Sequence, residues 1–311
     1  MFNKPLANML LFCIVLVLTH APYTAAATPC STAKVGLQVL GSGGPEIEDR
    51  RASSSYLLWV DGRARLLIDT GGGSAYNFER SGADFGDLKA ILYSHFHVDH
   101  SADLPVYIKG SYFLSRQADL PLYEPDANAL MPDTGGFVQA LFDAGSGAFR
   151  YLGDFLAEDA GTRYRVVPHT LDTSRHVEQT GYQDEGLRSV AIPVHHGPIP
   201  ALAWRVEVAG KILVFSGDMN GDYHTLPRLA KGADILVAHN AIPEGMEGVA
   251  RKLHMPPSVI GEIAAEARVK MLVLSHRMLR TLGREEESRR AIRKRYAGPL
   301  RFADDLDCIV P

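Results

Sequence analysis

Cysteine is scarce: the 311 residues contain only three, Cys13, Cys30 and Cys308. Cys13 falls within an N-terminal apolar stretch, and the other two stand at opposite ends of the remaining chain. Neither lies near the clustered histidines and aspartates of this chain, so we exclude thiolates as metal ligands. If the chain reaches an oxidising compartment, the even count predicts a Cys30–Cys308 disulfide; two unrelated free thiols are the alternative.

Excess basic charge is also lacking. Lys and Arg total 32 against 36 Asp and Glu, which gives a formal net charge of −4. Nucleic-acid sites normally carry a basic stripe, so this balance argues against nucleic acid as a partner. The visible basic cluster, Arg284 to Arg295, alternates with Glu285, Glu286 and Glu287 at helical spacing and indicates a solvated helix face.

Long apolar runs are lacking too: the N-terminal apolar stretch is too short for an ordinary membrane span, and no other segment is long and apolar enough to cross a bilayer. Lys4, the apolar stretch from Met9 to Leu18 and the small residues Ala25 to Ala27 predict a cleaved signal peptide over residues 1–27. An uncleaved anchor is the alternative. We therefore expect a periplasmic or secreted protein with no stable membrane insertion after processing.

No repeat, low-complexity linker or long charge run divides the rest, so residues 28–311 are expected to form one domain. Short runs rich in Val, Ile and Leu predict strands in both halves, with helices between and after them. This order favours an α/β fold, a four-layer αβ/βα sandwich. The less regular segment from Gln117 to Asp184 is expected to supply substrate-facing loops.

What the sequence does contain is a dense group of metal-binding side chains at residues 94–100, Ser-His-Phe-His-Val-Asp-His. His95 and His97 are two residues apart, so in extended chain they point to the same side and can share one ion. Asp99 and His100 follow a turn and can serve a second ion. Imidazole and carboxylate together suit zinc and similar divalent metals without any thiolate.

The pattern His-x-His-x-Asp-His resembles the signature of the metallo-β-lactamase superfamily. Further landmarks of that family each find a match after an apolar run: the His195-His196 pair, Asp218 and His276. The resemblance covers nearly all of the chain after residue 28 and implies the metallo-β-lactamase fold. By the same analogy, Asp69 is expected to support the ligand loop as a hydrogen-bond acceptor.

The resemblance implies two metal ions, expected to be Zn²⁺, with Mn²⁺ or Fe left open. The implied ligands are His95, His97 and His196 for the first ion, Asp99, His100 and His276 for the second, and Asp218 as the bridge. We choose His196 over His195 because His-Gly fits the family pattern better before the stretch from Pro200 to Arg205. Neighbouring residues in a strand face opposite sides, so one of the two would point away.

Within the superfamily the chain is most similar to the ribonuclease Z and arylsulfatase-like phosphodiesterase branch. Ala238-His239-Asn240-Ala241 stands where ribonuclease Z has His-Glu-Ala-Thr, and Leu253-His254-Met255 where it has His-Ser-Thr. This match implies that His254 is a general acid rather than a ligand; a loop histidine that only caps or packs is the alternative. Asn240 departs from the branch, because it replaces the Glu that orients the catalytic His.

The resemblance implies a secreted di-zinc hydrolase that cleaves small phosphodiesters or sulfate esters with a metal-activated hydroxide. Asp99, Asp218 and His254 are the expected catalytic residues. A lactonase or β-lactamase-like acyl hydrolase is the alternative, and a metal-binding protein without turnover is a third hypothesis. We expect a small-molecule ester as the partner and no nucleic acid, and a homodimer is left open.

Overall fold

The structure, a computed structural model, describes residues 29–158 and 164–311. The predicted signal peptide lies outside the described residues. Within the two described ranges, no helix has the length and apolar character needed to cross a membrane.

Seven strands form the first sheet: β1 (Val35–Gly41), β2 (Ser55–Val60), β3 (Arg63–Ile68), β4 (Ala90–Leu92), β5 (Leu120–Pro125), β6 (Val166–Leu171) and β14 (Cys308–Ile309). Their order across the sheet is β14-β1-β2-β3-β4-β5-β6. The strands from β14 to β3 pair antiparallel, and those from β3 to β6 pair parallel. Tyr56 and Leu57 on β2 point to opposite faces and both are buried, so this sheet is covered on both sides.

Seven strands form the second sheet: β7 (Gln179–Gln183), β8 (Leu187–His196), β9 (Ile199–Val208), β10 (Lys211–Phe215), β11 (Ile235–His239), β12 (Met271–Ser275) and β13 (Leu300–Phe302). Their order is β13-β12-β11-β10-β9-β8-β7. The strands from β7 to β10 pair antiparallel, whereas β10 to β13 pair parallel. Parallel strands end at one edge of a sheet, so the residues that follow β10, β11 and β12 are brought together there.

Helices cover the outer faces of both sheets. The helices are α1 (Pro29–Thr32), α2 (Ser74–Ser81), α3 (Val98–Ser101), α4 (Leu104–Ser111), α5 (Thr134–Phe142), α6 (Leu226–Leu229), α7 (Val249–Leu253), α8 (Pro257–Glu266) and α9 (Glu285–Arg293), with 3₁₀ helices at Phe85–Asp87 and Arg150–Phe155. Three hydrophobic clusters separate the resulting layers. One lies between the sheets, around Tyr56 and Trp204, and one lies under the helices on each outer face. The predicted α/β fold with helices on both sides of paired sheets is confirmed.

The segment from Gln117 to Asp184 is more regular than the sequence predicted. It contains β5, β6 and β7 as well as α5. Two prolines in β5 and the polar residues Gln179–Gln183 of β7 hide the alternation that identifies a half-buried strand. The expectation that this segment supplies substrate-facing loops stays a prediction.

A disulfide joins Cys30 to Cys308 across a sequence separation of 278 residues, as predicted. Cys308 begins β14, which pairs with β1 at Gln38, and Cys30 is fully buried on α1. The bridge therefore fastens the two ends of the described chain to the same edge of the first sheet.

Glu124 is a charged residue type in an apolar position. It lies on β5, and alternation places it on the same face as Leu120 and Leu122, which are buried beneath the helices. Its side chain is fully buried, and neither carboxylate oxygen has a hydrogen-bond partner among the described residues. The nearby Thr134 hydroxyl donates instead to the His169 carbonyl oxygen, at 3.0 Å. Burial raises the pKa of Glu124 to about 10.

We expect Glu124→Gln to change the pH dependence of stability. The pKa of Glu124 is higher in the folded than in the unfolded chain, so its contribution is complete below about pH 4 and declines as the pH rises toward 10. From pH 5 to pH 8, the variant should gain about 4 kcal/mol of unfolding free energy relative to wild type, because wild type loses about 1.4 kcal/mol per pH unit between the two pKa values. Urea denaturation across this range measures the difference. Glu262 is exposed, so Glu262→Gln is the control variant. A difference in unfolding free energy between Glu124→Gln and wild type that stays constant from pH 5 to pH 8 would contradict the prediction.

Candidate metal centre

The ligand loop, residues 94–101, begins two residues after β4 and runs into α3. Its first residue is held by Asp69, which follows β3. Asp69 Oδ1 accepts a hydrogen bond from the Ser94 backbone N–H at 2.7 Å, and Oδ2 accepts one from the Ser94 hydroxyl at 2.8 Å. The same Oδ2 lies 2.8 Å from His100 Nδ1, which leaves His100 Nε2 directed at the site. Asp69 thus positions this loop, in the role that the sequence predicted for it.

Strand β9 of the second sheet is hydrogen-bonded to the same loop and to the residue before it. The Leu202 backbone N–H donates to the Ser94 carbonyl oxygen at 2.9 Å, and Trp204 Nε1 donates to the Tyr93 carbonyl oxygen at 2.8 Å. Trp204 is fully buried on β9. These bonds bring the loop of the first sheet to the strand ends of the second, so the site forms only where the two sheets meet.

His195 and His196, at the end of β8, point in opposite directions. His196 is buried, and its Nδ1 donates to the Leu253 carbonyl oxygen at 3.0 Å, so Nε2 is free to face the ligand loop. His195 is partly exposed and its Nδ1 lies 3.8 Å from the Asp222 carboxylate, away from the loop. The alternation of side chains along the strand separates the two.

The predicted ligands gather in two donor groups. The first donor group consists of His95, His97, His196 and Asp218, whose donor atoms all lie within 4.8 Å of one another. Within it, His97 Nδ1 and His196 Nε2 are only 3.3 Å apart. Three imidazoles and one carboxylate at this spacing form a nitrogen-rich cage of the kind that zinc occupies.

The second donor group contains His100, Asp218 and His276, together with His239, also within 4.8 Å. Asp99 joins it from the ligand loop, since its Oδ2 lies 3.2 Å from His276 Nε2 and 3.5 Å from His100 Nε2. A single oxygen, Asp218 Oδ2, lies 3.8 Å from His196 Nε2 and 3.4 Å from His276 Nε2. Asp218 thus faces both groups.

His239 was quoted in the sequence analysis but given no role. Its Nδ1 lies 2.7 Å from Asp218 Oδ1, and its Nε2 lies 3.0 Å from the Tyr56 hydroxyl. Both ring nitrogens are therefore occupied, and His239 orients the carboxylate instead of offering a free donor. The sequence did contain a signal for a site residue at this position, because β11 ends in a histidine after an apolar run, as β8 does.

The chemistry of the donor groups fits a bound cation. Buried His95 Nε2 and His100 Nε2 have no hydrogen-bond partner within the described ranges, which is costly unless another group satisfies them. Burial lowers the pKa of His95 well below its ordinary value and also lowers the pKa values of His97 and His196. These three rings are thus neutral at pH 7, the form in which imidazole binds metals.

The carboxylates are ionised. Burial alone would raise the pKa of Asp218, but His276 and His254 outweigh it and hold that pKa well below its ordinary value. In Asp99, burial is likewise outweighed by His100 and His276, which bring the pKa to about 2. Ionised carboxylate oxygens beside the three neutral rings of the first donor group are a donor set that suits a divalent cation, and we conclude that this chain has a metal site.

His254 lies between α7 and α8 at the side of both groups. Its Nδ1 is 3.9 Å from Asp218 Oδ2, and its ring centroid is 5.5 Å from that of His196. Nδ1 is buried without a hydrogen-bond partner in residues 29–158 and 164–311. Asn240 does not orient it, since its Nδ2 donates to the Ile242 carbonyl oxygen at 3.3 Å. Burial lowers the pKa of His254 to about 3, so the resting ring is neutral.

Residues 64–277, more than half of the chain and every residue of both donor groups, match the family described as the Beta-lactamase superfamily domain. This chain belongs to that superfamily. The predicted resemblance to metallo-β-lactamases is thereby confirmed, together with a metal-dependent hydrolase as the class of enzyme.

Similar proteins within the superfamily include nucleases. The chain is 28% identical over 292 residues to a ribonuclease Z of Mycolicibacterium paratuberculosis, covering 88% of this chain and 96% of the relative. The fold is shared with human tRNase Z, short form, at a TM-score of 0.65 and 22% identity over 88% of this chain and 98% of that one. It is also shared with the metallo-beta-lactamase fold protein YhfI from Bacillus subtilis, at a TM-score of 0.67 and 19% identity over 89% and 99%.

These superfamily members correct two expectations. The relatives named ribonuclease Z and tRNase Z contradict the expectation that this chain hydrolyses small phosphodiesters or sulfate esters. They also contradict the expectation that nucleic acid is not a partner. The net charge of −4 misled because it sums the whole surface. Recognition of a phosphate depends on the local potential at the site, which bound cations would make positive.

Proposed function

We propose that this chain is a metal-dependent ribonuclease that hydrolyses phosphodiester bonds in RNA. The observation that carries the proposal is the pair of donor groups sharing Asp218, with His254 beside the shared carboxylate. Two adjacent cation sites are typical of phosphodiester hydrolysis, where both oxygens of an in-line displacement need stabilisation. Similarity to ribonuclease Z along nearly the whole of both chains supports RNA as the substrate class.

The proposal includes the ligand assignment made from the sequence. His95, His97 and His196 would hold one ion, Asp99, His100 and His276 would hold a second, and Asp218 would contact both. Nitrogen and oxygen donors without thiolate favour Zn²⁺. When bound, the ions supply Lewis acidity, which lowers the pKa of water and polarises the phosphoryl oxygen.

The protein's own groups have separate tasks in this scheme. Asp99, ionised at Oδ2, accepts a hydrogen bond from the attacking water and orients it. The new bond forms between the water oxygen and phosphorus as the water releases one proton to solvent, and the bond from phosphorus to the departing ribose oxygen breaks. His254 gives a proton to that oxygen. A bound phosphodiester is an anion, and its charge beside the buried ring favours the protonated imidazole.

Purified zinc-loaded protein should cleave RNA in a chelator-sensitive reaction. A folded precursor with a 3′ extension, a single-stranded RNA and a DNA of the same sequence should be compared. A lactone and a cephalosporin included in the same assay would detect acyl hydrolysis. Intact RNA after incubation with metal-loaded protein would overturn the proposal, and turnover of only the acyl substrates would replace it with an acyl hydrolase.

For His254→Ala we expect a loss that depends on the leaving group. Proton donation matters little when the leaving group is a weak base such as p-nitrophenolate, and much when it is a ribose hydroxyl. The variant should react almost normally with p-nitrophenyl phosphodiesters but lose about 10²-fold on RNA. Steady-state kinetics with both substrates and metal analysis of the variant measure this.

His195→Ala is the matched control, because this neighbouring histidine faces away from both donor groups. It should behave as wild type on both substrates. Equal losses by His254→Ala on both substrates would indicate that His254 stabilises bound phosphate instead. Loss of metal from that variant would make His254 a ligand.

We further propose that the chain is exported and that residues 1–27 are removed. The disulfide between Cys30 and Cys308 supports this, because such bonds persist in oxidising compartments and are rare in the cytosol. Mass spectrometry of fractionated cells should find a mature N-terminus near residue 28 outside the cytoplasm. Full-length cytoplasmic protein in which Cys30 and Cys308 are both reduced would contradict export.

A further inference from the structure

A large cavity lies on the outer side of the ligand loop. Its volume is about 790 Å³, within the range of small-molecule sites. We call its lining the aromatic pocket and define it by six residues: Phe96, Val106, Lys109, Phe137, Phe149 and Tyr151. Most of this lining is apolar, yet the cavity is open to solvent, as Tyr151 is 65% exposed.

The aromatic pocket shares a wall with the metal centre. Phe96 and Val98 both line the cavity, and they flank His97 of the first donor group. The Ser101 hydroxyl, from the same wall, donates to the His97 carbonyl oxygen at 3.0 Å. The aromatic pocket and the first donor group are thus built on adjacent residues of one loop, and a ligand that spans this loop would contact both.

Flat rings shape this cavity. Phe96 stacks on Phe137 with ring centroids 3.8 Å apart at an interplanar angle of 28°. The exposed rings of Tyr112 and Phe113 continue the surface beyond the pocket. A contiguous exposed apolar patch of this kind marks a binding surface on a soluble protein, and planar aromatic faces suit a planar ligand.

A single cation lies among these rings. Lys109 Nζ is 4.9 Å from the ring centroid of Tyr112, 5.1 Å from that of Phe113 and 5.5 Å from that of Tyr151. Lys109 forms no ion pair with any carboxylate in the described part of the chain. An ammonium group at the rim of an apolar pocket complements an anion joined to a flat apolar body, which is the chemistry of a nucleotide.

We propose that the aromatic pocket binds a nucleobase next to the scissile phosphodiester, and that Lys109 pairs with the backbone phosphate beside that base. This inference rests on the proposed function, which it deepens by naming a subsite. Base stacking tolerates any sequence, because every base has a π face. The subsite would therefore increase affinity for RNA without selecting a particular base.

Tyr151→Ala tests the subsite, since an exposed side chain can be removed without disturbing the core. The substrates are two RNA oligonucleotides that differ only in whether one nucleotide flanking the cleavage site lacks its base. Wild type should show a KM about tenfold higher for the abasic RNA, with kcat nearly unchanged. Tyr151→Ala should show the higher KM for both. Lys109→Gln should raise KM for both RNAs and weaken the dependence of KM on salt.

Tyr76→Ala is the matched control, because Tyr76 is 66% exposed and carries Arg80 at 5.7 Å from its ring, outside the pocket. It should behave as wild type. Equal KM values of wild type for the two RNAs, at either flanking position, would overturn the subsite while leaving the proposed function intact.

A binding measurement separates the two hypotheses. Calorimetric titration of metal-loaded protein with adenosine 5′-monophosphate and with ribose 5-phosphate compares ligands with and without a base. About tenfold tighter binding of the nucleotide, lost in Tyr151→Ala, would support the subsite even if no RNA were cleaved. Equal affinities would overturn it, for example if the pocket instead accepts an apolar segment of another protein.

Discussion

Asp218→Ala is expected to lose activity by about 10³-fold or more and to retain less than the wild-type content of metal. The reason is geometric: one oxygen of this carboxylate lies within 4 Å of His196 in the first donor group and of His276 in the second. Removing it also leaves His239 without its partner at 2.7 Å. Elemental analysis after gel filtration, together with RNA cleavage at saturating Zn²⁺, measures both effects.

The nearby Asp222→Ala variant controls for the loss of a negative charge, because Asp222 is mostly exposed and bonds to Asn220 instead of the donor groups. It should keep both metal and activity. Two tightly held metals in Asp218→Ala would show that this carboxylate does not bridge the groups. Asp218→Asn tests whether a side chain of the same shape but without charge can retain the metal. We expect this variant to lose metal as well, since a neutral amide binds Zn²⁺ less well than a carboxylate.

Reduction of the Cys30–Cys308 bridge is expected to have the largest effect on stability. The bond closes a loop spanning a sequence separation of 278 residues, and the chain-entropy account of the unfolded state then gives up to about 5 kcal/mol. Urea unfolding of wild type with and without reductant should show a lower midpoint for the reduced protein. Metal must be held at the same saturation in both samples, because bound ligand also stabilises the folded state.

The double variant Cys30→Ala with Cys308→Ala provides the control for reductant itself and should unfold at the same urea concentration with and without it. Titration of the unfolded, unreduced protein after removal of residues 1–27, which contain Cys13, should find no free thiol. Two titratable thiols, or equal midpoints for oxidised and reduced wild type, would show that the bridge is absent or without effect.

Much of the site could be predicted because its residues follow clear apolar runs. The ligands come at or just after the ends of buried strands, and strands of one sheet that end at a common edge deliver these residues to one place; the ligands are His95, His97, Asp99, His100, His196, Asp218 and His276. Seven residues chosen in this way do converge in the structure. Apolar runs in the sequence identify buried strands, and a histidine or aspartate at the end of such a strand is unusual because burying a polar side chain without a partner is costly. That combination therefore points to a functional site.

The remaining features depend on contacts between distant segments. His239 follows an apolar run as His196 does, but its role as an orienting group depends on the contact with Tyr56, 183 residues away, and on the contact with Asp218. Strand β5 resembles a loop because of its prolines, and Glu124 within it gives no sign that it would be buried. Substrate class was mispredicted for a related reason, since net charge says little about the local surroundings of the donor groups.

The join between Cys30 and Cys308 also decides how the protein responds to mechanical load. A force that pulls on the two ends of the described chain passes through the bridge, because Cys30 and Cys308 lie close to those ends in sequence. Tension then passes through a covalent bond, and the residues between them are not extended. The strands between the two cysteines are shielded from stretching while the bridge is oxidised, and the load falls directly only on Ile309, which pairs with Leu37 beyond Cys308.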